Sequence, residues 1–390
     1  MDVRCGVDPS NVQFRRVIEI SLQCNDLEGT LPMLSQLSEM TRFDISHNQL
    51  RGSIPPSLST LIKLQSLSLN GNELSGTILN TLGSLLNLRY LNVNENQLSG
   101  TIPSTIGHLT ALFLLNLSAN KLTGTIPSSL GYLTTLAEFY CSNNLLSGTI
   151  PSTIGHLAAL KILTLGSNRF SGTIPSTLGR LTNLRKLDIH GNRRLRGFVP
   201  SSLGSLTKLQ TFDLHGNQLS GAIPITIGFL EALVTIDLSF NKLTQTIPSA
   251  LGSLTNLKFL YVNENQLTGV IPSTIGRLIA LLTVNLSSNR FSGTIPSTLG
   301  NLSDLQWLIL YRNQLSGAIP VLNQTSLSIV ELQSNNLTMG ALKEVPLSTF
   351  SAKSLKNSIR LENNCLKFRN PNTPSQNADA TQCSDGRSVI

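Results

Sequence analysis

The chain has 390 residues, of which 13% are charged and only 5% aromatic, and its 29 Lys and Arg outnumber its 21 Asp and Glu. The net charge of +8 is scattered along the chain without a basic cluster interleaved with aromatic residues, which argues against nucleic acid as a partner. No stretch approaches the roughly 18 apolar residues that a membrane-spanning helix needs, so the sequence predicts no membrane span in this chain.

The first ten residues, MDVRCGVDPS, lack the basic start, the apolar run and the small-residue cleavage site of a secretory signal. Two interpretations stay open at this point. Either the protein is intracellular, or the beginning of a longer protein is missing from this sequence.

An asparagine recurs at a fixed spacing through most of the chain. From Asn48 to Asn192 every step is 24 residues, and the step to Asn217 is 25 because NRRLRG carries one extra residue. The spacing loosens to 22 and then 29 residues between Asn313 and Asn364. Counting these asparagines gives about 15 repeats of 24 residues, which predicts a stacked array and not a set of compact domains.

A typical unit, LRYLNVNENQLSGTIPSTIGHLTA, covers residues 88–111. Leu91 and Val93 alternate with polar residues, which predicts a short strand with one buried face. The side-chain amide of Asn96 is expected to bond backbone groups of the bend and of the next coil. Pro103 lacks an N–H and marks a second bend.

The second half of the unit supplies further inward apolar groups, among them Ile106 and Leu109. Gly107 is expected to close a short helical or 3-10 segment. One unit cannot bury these side chains alone, so the core must form by stacking of successive units.

The pattern LxLxxNxLxGxIPxxLGxL resembles the plant-type leucine-rich repeat of receptor-like kinase ectodomains and polygalacturonase-inhibiting proteins, over about residues 17–340. The resemblance implies an α/β fold, a curved right-handed superhelix with a parallel sheet on its concave side and short 3-10 or helical segments on its convex side. It divides the chain into a remnant of an N-terminal cap (1–16), the leucine-rich-repeat solenoid (17–344), and a last irregular repeat with a C-terminal cap or tail (345–390).

Similar proteins have a cap at each end of the repeat array, and both ends of this chain resemble such caps. Their N-terminal cap carries a W-x-G-V-x-C motif, and the residues VRC ending at Cys5 resemble its last part. The resemblance implies that a Trp and a signal segment precede Met1 in a longer, secreted protein, with a cytosolic start at Met1 as the alternative. A disulfide-stabilised C-terminal cap in similar proteins suggests a bridge between Cys365 and Cys383, with two free thiols as the alternative.

Two cysteines remain. Cys24, in the first unit, is a weaker candidate to pair with Cys5, and Cys141 takes a buried Leu position of the repeat, where an inert thiol is expected. If the chain is secreted, N-x-S/T sequons make five asparagines candidates for glycosylation: Asn116, Asn285, Asn301, Asn323 and Asn336.

No arrangement of residues in the sequence indicates catalysis. His190 and His215 fall on adjacent predicted strands beside Asp188 and Asp213, with Asp237 one coil further on, and such a cluster can bind a metal or act as acid and base. Asp is common at this strand position in similar repeats, however, and no nucleophile, oxyanion site or phosphate loop accompanies it. The sequence therefore predicts no enzyme, no catalytic residue, no metal and no cofactor.

Partners are expected on the outward strand positions, which alternate with the buried ones. Exposed Trp, Tyr and Arg are enriched at binding hot spots, so the predicted ligand site on the concave face is Phe259, Tyr261, Glu264, Trp307, Tyr311 and Arg312. A secondary group is Tyr90, Glu95, Glu138, Tyr140, Lys186, Asp188, His190, Asp213 and His215. The alternative is that these aromatic residues are incidental at strand-favouring positions.

A row of threonines every 24 residues, from Thr77 to Thr173, could in principle order water for ice binding. The row breaks at Phe198 and Ala222, which favours simple inheritance of the repeat.

The sequence thus favours a non-enzymatic recognition module like a receptor ectodomain, secreted or at the cell surface, that binds a protein or peptide on its concave or lateral face. The first alternative is an inhibitor of a secreted cell-wall-degrading enzyme, for which the basic surface would suit an acidic enzyme or a polysaccharide. The second is a cytoplasmic scaffold for protein–protein interactions.

Overall fold

The structure is a computed structural model that describes residues 2–8, 11–322, 326–338, 359–360 and 364, with the backbone alone for 2–8, 11–15 and 359. The described residues form two compact units, which divide between Arg196 and Gly197. Both units are built from the same coil, which consists of a three-residue strand, a bend, a second short strand and a 3-10 helix.

The first unit has a main sheet that is parallel from β2 onwards, while β1 pairs antiparallel with β2. Its strands are β1 (Asp2–Asp8), β2 (Asn11–Ser21), β4 (Arg42–Asp44), β6 (Ser66–Ser68), β7 (Tyr90–Asn92), β9 (Leu114–Asn116), β11 (Glu138–Tyr140), β13 (Ile162–Thr164) and β15 (Lys186–Asp188). The side strands are β3 (Glu28–Thr30), β5 (Gln49–Arg51), β8 (Ser99–Thr101), β10 (Lys121–Thr123), β12 (Ser147–Thr149), β14 (Arg169–Gly172) and β16 (Arg194–Gly197). The 3-10 helices are η1 (Pro56–Thr60), η2 (Asn80–Ser84), η3 (Ser104–His108), η4 (Ser128–Tyr132), η5 (Ser152–His156) and η6 (Ser176–Arg180).

The second unit continues the same plan with a parallel main sheet. This sheet contains β17 (Thr211–Asp213), β19 (Thr235–Asp237), β21 (Phe259–Tyr261), β23 (Thr283–Asn285), β25 (Trp307–Ile309), β27 (Ile329–Glu331) and β29 (Ile359–Arg360). The side strands are β18 (Gln218–Gly221), β20 (Lys242–Leu243), β22 (Thr268–Val270), β24 (Arg290–Gly293), β26 (Gln314–Ala318) and β28 (Asn336–Thr338). The 3-10 helices are η7 (Ser201–Ser205), η8 (Ile225–Phe229), η9 (Ser249–Ser253), η10 (Ser273–Arg277) and η11 (Ser297–Asn301).

The strands form because each places one apolar residue between two outward-facing ones. In β11, Phe139 is fully buried between the half-buried Glu138 and Tyr140. The register aligns Phe139 with Leu115 on one side and Leu163 on the other. Each coil thus adds one layer to a continuous apolar column, and the alternation predicted from the sequence is confirmed.

The repeated asparagine joins each coil to its neighbour through its side-chain amide. Asn120 Oδ1 accepts a hydrogen bond from the backbone N–H of Leu98 at 2.9 Å. Its Nδ2 donates to the carbonyls of Val93 at 3.0 Å and Leu117 at 3.2 Å. Leu98 and Val93 belong to the preceding coil, so the prediction of a bond to the next coil had the wrong direction. The same set of bonds recurs at the equivalent asparagines of both units, among them Asn72, Asn96, Asn144, Asn168, Asn241, Asn265 and Asn289.

Close packing of successive 3-10 helices explains the glycine of each LGxL. A Cβ atom on Gly107 would lie 2.4 Å from the backbone carbonyl oxygen of Ser129, in the helix of the following coil. No side chain can turn away from a backbone atom at that distance, so only glycine fits. Leu79, which replaces the usual proline at the start of η2, adopts φ −70° and ψ 136°, close to the φ −68° and ψ 141° of Pro103. The departure at Leu79 therefore leaves the coil geometry intact.

The cysteines divide between described and undescribed parts of the chain. Cys24 is an exposed free thiol, so the weaker hypothesis of a bridge between Cys24 and Cys5 finds no support. Cys141 is fully buried, and burial raises the pKa of its thiol, which keeps it protonated and inert as expected. The predicted Cys365–Cys383 bridge lies outside the described residues.

The predicted boundaries of the solenoid stay predictions. The boundary between residues 16 and 17 falls inside β2, which pairs with β1 on one side and with β4, the strand of the next coil, on the other. The boundary at 344/345 lies outside the described residues.

Replacing Asn120 by Ala should destabilise the protein by about 2–4 kcal/mol, because it leaves one buried N–H and two buried carbonyls without this partner. The measurement is urea-induced unfolding followed by circular dichroism. Gln97→Ala, which truncates an exposed amide in the same repeat region, is the control and should change stability by less than about 0.5 kcal/mol. Equal effects of the two substitutions would contradict a structural role of the asparagine.

Candidate functional site

The predicted ligand residues of the second unit come together on the solvent face of its main sheet, the face predicted as concave. The register places Phe259 beside Thr283 and Thr283 beside Trp307. Phe259 and Tyr261, two residues apart on β21, stack with ring centroids 6.5 Å apart and an interplanar angle of 7°. The Trp307 side chain on β25 is 43% exposed. We call Phe259, Tyr261, Thr283 and Trp307 the aromatic patch.

Thr283 connects the two sides of the aromatic patch. It occupies an outward-facing strand position, yet it is only 5% exposed, whereas Thr235 at the same position two strands away is half-buried. The larger side chains beside Thr283 cover it. The side chains of Thr283 and Tyr261 are also hydrogen-bonded. The patch is therefore one continuous surface and not two separate groups of rings.

Burial is the main reason why the pKa of Tyr261 lies above its ordinary value. The charge of Asp237 adds to this increase, and the hydrogen bond with Thr283 opposes it. The phenol therefore stays protonated at neutral pH and offers a ligand both a donor and an apolar ring.

The remaining predicted ligand residues lie on the bends that follow the strands. Glu264 and Arg312 both have left-handed backbone conformations, with φ of 53° and 52°. The Arg312 guanidinium lies 6.0 Å from the centroid of the Tyr311 ring. Tyr311 and Arg312 were predicted at outward strand positions, but β25 ends at Ile309, so both lie beyond the strand. Tyr311 and Arg312 thus lie on the bend that follows β25, the strand that carries Trp307 of the aromatic patch.

Two carboxylates lie on the strands that precede the aromatic patch. His215 Nδ1 is 2.8 Å from Asp213 Oδ1 and 3.9 Å from Asp237 Oδ2. Ser239 donates hydrogen bonds to Asp237 Oδ1 from its N–H at 2.9 Å and its hydroxyl at 2.6 Å. Burial, and in addition the charge of Asp213, raise the pKa of Asp237 above its ordinary value, against the opposing effect of Ser239 and His215.

In the first unit, Lys186, Asp188 and His190 form a cluster of mutual contacts. His190 Nδ1 lies 2.6 Å from Asp188 Oδ1, and Lys186 Nζ lies 3.9 Å from Asp188 Oδ2. Burial acts to raise the pKa of Asp188, but the hydrogen bond and charge of His190, with Lys186, hold it below its ordinary value. Asp188 is only 8% exposed, so it offers a partner little contact area.

The secondary aromatic group of the first unit is also held by internal contacts. The Tyr140 hydroxyl donates to Glu138 Oε2 at 2.9 Å. Burial, followed by this bond and the charge of Glu138, raises the pKa of Tyr140 to about 12. Glu95 is exposed on its bend, with φ 52°. Tyr90 is 44% exposed and is therefore the most accessible aromatic ring of this group.

Sequence reasoning missed Phe113, which lies beside Tyr90, and Lys161, which lies beside Phe113. The ring of Phe113 lies 5.8 Å from that of Tyr90, and Lys161 Nζ lies 6.0 Å from the Phe113 centroid. Phe113 directly precedes β9, and Lys161 directly precedes β13. That repeat position varies between coils and is exposed, which is the signal that would have identified them.

The threonine row is a packing feature. Thr101 is exposed, but its γ-methyl group fills the space above Gly124 of the next coil, where a Cβ atom would come within 2.8 Å of it. In the second unit the Phe198 ring covers Gly221 in the same way. At the break in the row, Phe198 replaces the threonine and its ring covers Gly221 in place of a methyl group. This agrees with inheritance of the repeat.

The sequons differ in exposure. Asn301 and Asn336 are exposed, while Asn116 and Asn285 are half-buried on the main sheet. Asn285 Oδ1 accepts hydrogen bonds from the N–H and hydroxyl of Ser287, at 3.1 and 2.7 Å. Asn323 lies outside the described residues. Within the described ranges, no helix has the length and apolarity to cross a membrane.

Two comparisons concern the sequence itself. Residues 36–222 match a family model described as leucine-rich repeat region, and residues 207–267 and 255–315 match one described as leucine rich repeat. Among curated proteins, none matches the chain.

Solved structures of plant receptors resemble the chain over most of its length. The PEPR1–AtPEP1 structure is 35% identical with a TM-score of 0.86, covering 93% of this chain and 50% of that one, so this chain spans half the length of PEPR1 in that structure. The TDR receptor is 31% identical, with a TM-score of 0.80 and coverage of 90% and 64%. The ectodomain of the Arabidopsis receptor kinase HAESA, in complex with an IDA peptide hormone ligand, is 32% identical with a TM-score of 0.71, covering 92% of this chain and 68% of that one. With this identity and coverage, and with coils that follow the predicted pattern in the part of the chain that the structure describes, the chain belongs to the plant-type leucine-rich-repeat proteins.

Proposed function

We propose that the chain is a non-enzymatic recognition module that binds a peptide ligand on the solvent face of its main sheet, through the aromatic patch. The observation that carries the proposal is a continuous set of half-buried and exposed rings at outward-facing strand positions. Rings held on strands offer contact area at a small cost in conformational entropy, and Trp and Tyr dominate binding hot spots.

The likeness to peptide receptors supports the same proposal. HAESA is described with its peptide hormone IDA, and the plant peptide hormone receptor RGFR1 with RGF2, at 32% and 26% identity to this chain. IDA and RGF2 are ligands of HAESA and RGFR1, and this chain has its own set of outward-facing residues. These residues differ from coil to coil, while the buried residues repeat.

We place the protein outside the cell, secreted or at the cell surface. Two observations support this location: the chain is similar to the ectodomain of HAESA, and the sequons at Asn301 and Asn336 are exposed. Two alternatives stay predictions. One is an inhibitor that binds an acidic enzyme or a polysaccharide, and the other is a cytoplasmic scaffold; among the described residues we find no site specific to either.

Removing the Trp307 side chain should weaken binding of peptides selected from a displayed library of random twelve-residue sequences at least tenfold. Truncation of a central hot-spot aromatic residue costs about 2 kcal/mol or more, which corresponds to a larger factor than this. The measurement is isothermal titration of selected peptides into the wild-type protein and the Trp307→Ala variant.

Tyr132→Ala provides the matched control. Tyr132 is 69% exposed, but it ends helix η4, away from the main sheet, so its removal should leave peptide affinity unchanged. Selected peptides that bind the Trp307→Ala variant as tightly as the wild type would contradict the proposal.

Glycan mapping by mass spectrometry tests the extracellular location on protein from its natural source. We expect a glycan at Asn301, which is exposed at the end of η11, and none at Asn285, whose side chain is bonded to the fully buried Ser287. An unmodified Asn301 in the natural protein would contradict the proposed location.

A further inference from the structure

The carboxylates of Asp213 and Asp237 lie directly beside the aromatic patch. The register aligns Asp213 with Asp237 and Asp237 with Tyr261, so three neighbouring strands present acid, acid and ring in sequence. All three side chains are half-buried at outward-facing positions. The acidic and aromatic groups therefore form one surface.

Within the second unit, the two carboxylates of this acidic region share one neighbouring imidazole, that of His215. His215 Nδ1 lies close to both carboxylates, at 2.8 Å from Asp213 and 3.9 Å from Asp237. One protonated imidazole balances only one of two carboxylates. Both hydrogen bonds from Ser239 go to Oδ1 of Asp237, at 2.9 and 2.6 Å. The Oδ2 atom of Asp237, which faces His215 at the longer distance, is the acceptor best placed for an incoming cation.

Strand spacing sets the distance between the two parts of this surface. Strands of a sheet lie about 4.8 Å apart, so the midpoint of Asp213 and Asp237 is roughly 12 Å from strand β23 at the centre of the patch. An extended peptide advances about 3.3 Å per residue and points every second side chain to the same side. Two side chains four residues apart are then about 13 Å apart on one face, which matches the surface.

We propose that this surface binds an extended peptide that carries a basic residue and, four residues away, an aromatic or large aliphatic residue. The basic side chain pairs with Asp213 and Asp237, and the apolar side chain lies on the aromatic patch. The proposal rests on the proposed function and specifies its ligand. A spacing of two residues spans only about 6.6 Å, and a spacing of three points the side chains to opposite faces.

The charge also selects against other ligands. A polyanion is repelled by the two carboxylates, and a neutral saccharide leaves their excess charge without a counterion. The cation Arg312 lies beyond Tyr311, at the other end of the patch from Asp213, so it does not occupy the acidic region. A peptide with one basic residue satisfies both parts of the surface.

Trp307 is the single tryptophan of the chain, so its fluorescence reports contact with the patch directly. The probes are N-acetylated, C-amidated ten-residue peptides of Gly and Ser that carry one Arg and one Phe. We expect the peptide with four-residue spacing to change Trp307 fluorescence at a concentration at least tenfold lower than two related peptides. One of these has Arg and Phe two residues apart, and the other has Glu in place of Arg.

Asp237→Asn tests the acidic region without disturbing the fold. Asn285 occupies the equivalent strand position and accepts the same two bonds from Ser287 that Asp237 accepts from Ser239, so an amide fits there. The substitution should weaken the Arg–Phe peptide about tenfold and leave a peptide with Phe alone unchanged. Asp304→Asn, which removes the same charge at an exposed site outside the strands, is the control and should have no effect.

Equal response to all spacings, or wild-type affinity in Asp237→Asn, would overturn the proposal. If peptides from the random library bind through Trp307 but carry no such pair of residues, the ligand class is wrong while the recognition function stands. If no peptide alters Trp307 fluorescence, both fail. A fluorescence response to chitohexaose that matches or exceeds the response to the Arg–Phe peptide would instead assign the patch to saccharides and overturn the peptide ligand.

Discussion

The side-chain amide of one asparagine per coil is the interaction on which the rest of the structure depends. Each coil bends sharply after its main-sheet strand, and the bend turns backbone N–H and carbonyl groups inward, where water cannot reach them. The amide has two donors and an acceptor, so Asn120 satisfies groups of its own coil and of the preceding one. Among neutral side chains, only asparagine and its longer homologue glutamine carry two N–H donors together with a carbonyl acceptor. One asparagine therefore ties each coil to the preceding one, and we call this series of bonds the asparagine ladder.

This arrangement separates stability from recognition. Buried positions repeat the same few apolar residues from coil to coil, while the outward positions of the main sheet change from Asp237 to Tyr261 to Asn285 on successive strands. Because the asparagine ladder and the apolar column hold the backbone at these positions, we expect substitutions on the outer face to have little effect on the fold. A ligand surface can vary on a constant frame, and in this chain it varies from acidic to aromatic over a few strands.

Sequence alone predicted the coil well and the surface less well. The strand alternation seen at Phe139 and the burial of Cys141 follow from local patterns, because each repeat presents the same pattern again. The same patterns predicted that the repeated asparagine bonds backbone groups of a neighbouring coil, but not that this coil is the preceding one. The burial of Thr283 could not be predicted, since it depends on the size of side chains 24 residues away on either side. The pairing of Phe113 with Tyr90 was missed because Phe113 lies before the strand, outside the positions considered as binding face. The ends of the array have no such repetition to guide a prediction.

The central claim is that the asparagine ladder forms the rigid frame of the molecule, and native-state hydrogen exchange tests it most directly. The backbone N–H groups of Leu98, Leu122 and Leu146 each donate to the asparagine of the following coil. The account predicts that these three amides exchange as slowly as the strand amides of the main sheet, through unfolding of several coils together. Exchange of these amides at the rate of exposed loop amides would contradict this account, because the asparagine hydrogen bonds between neighbouring coils would then open without unfolding of the coils.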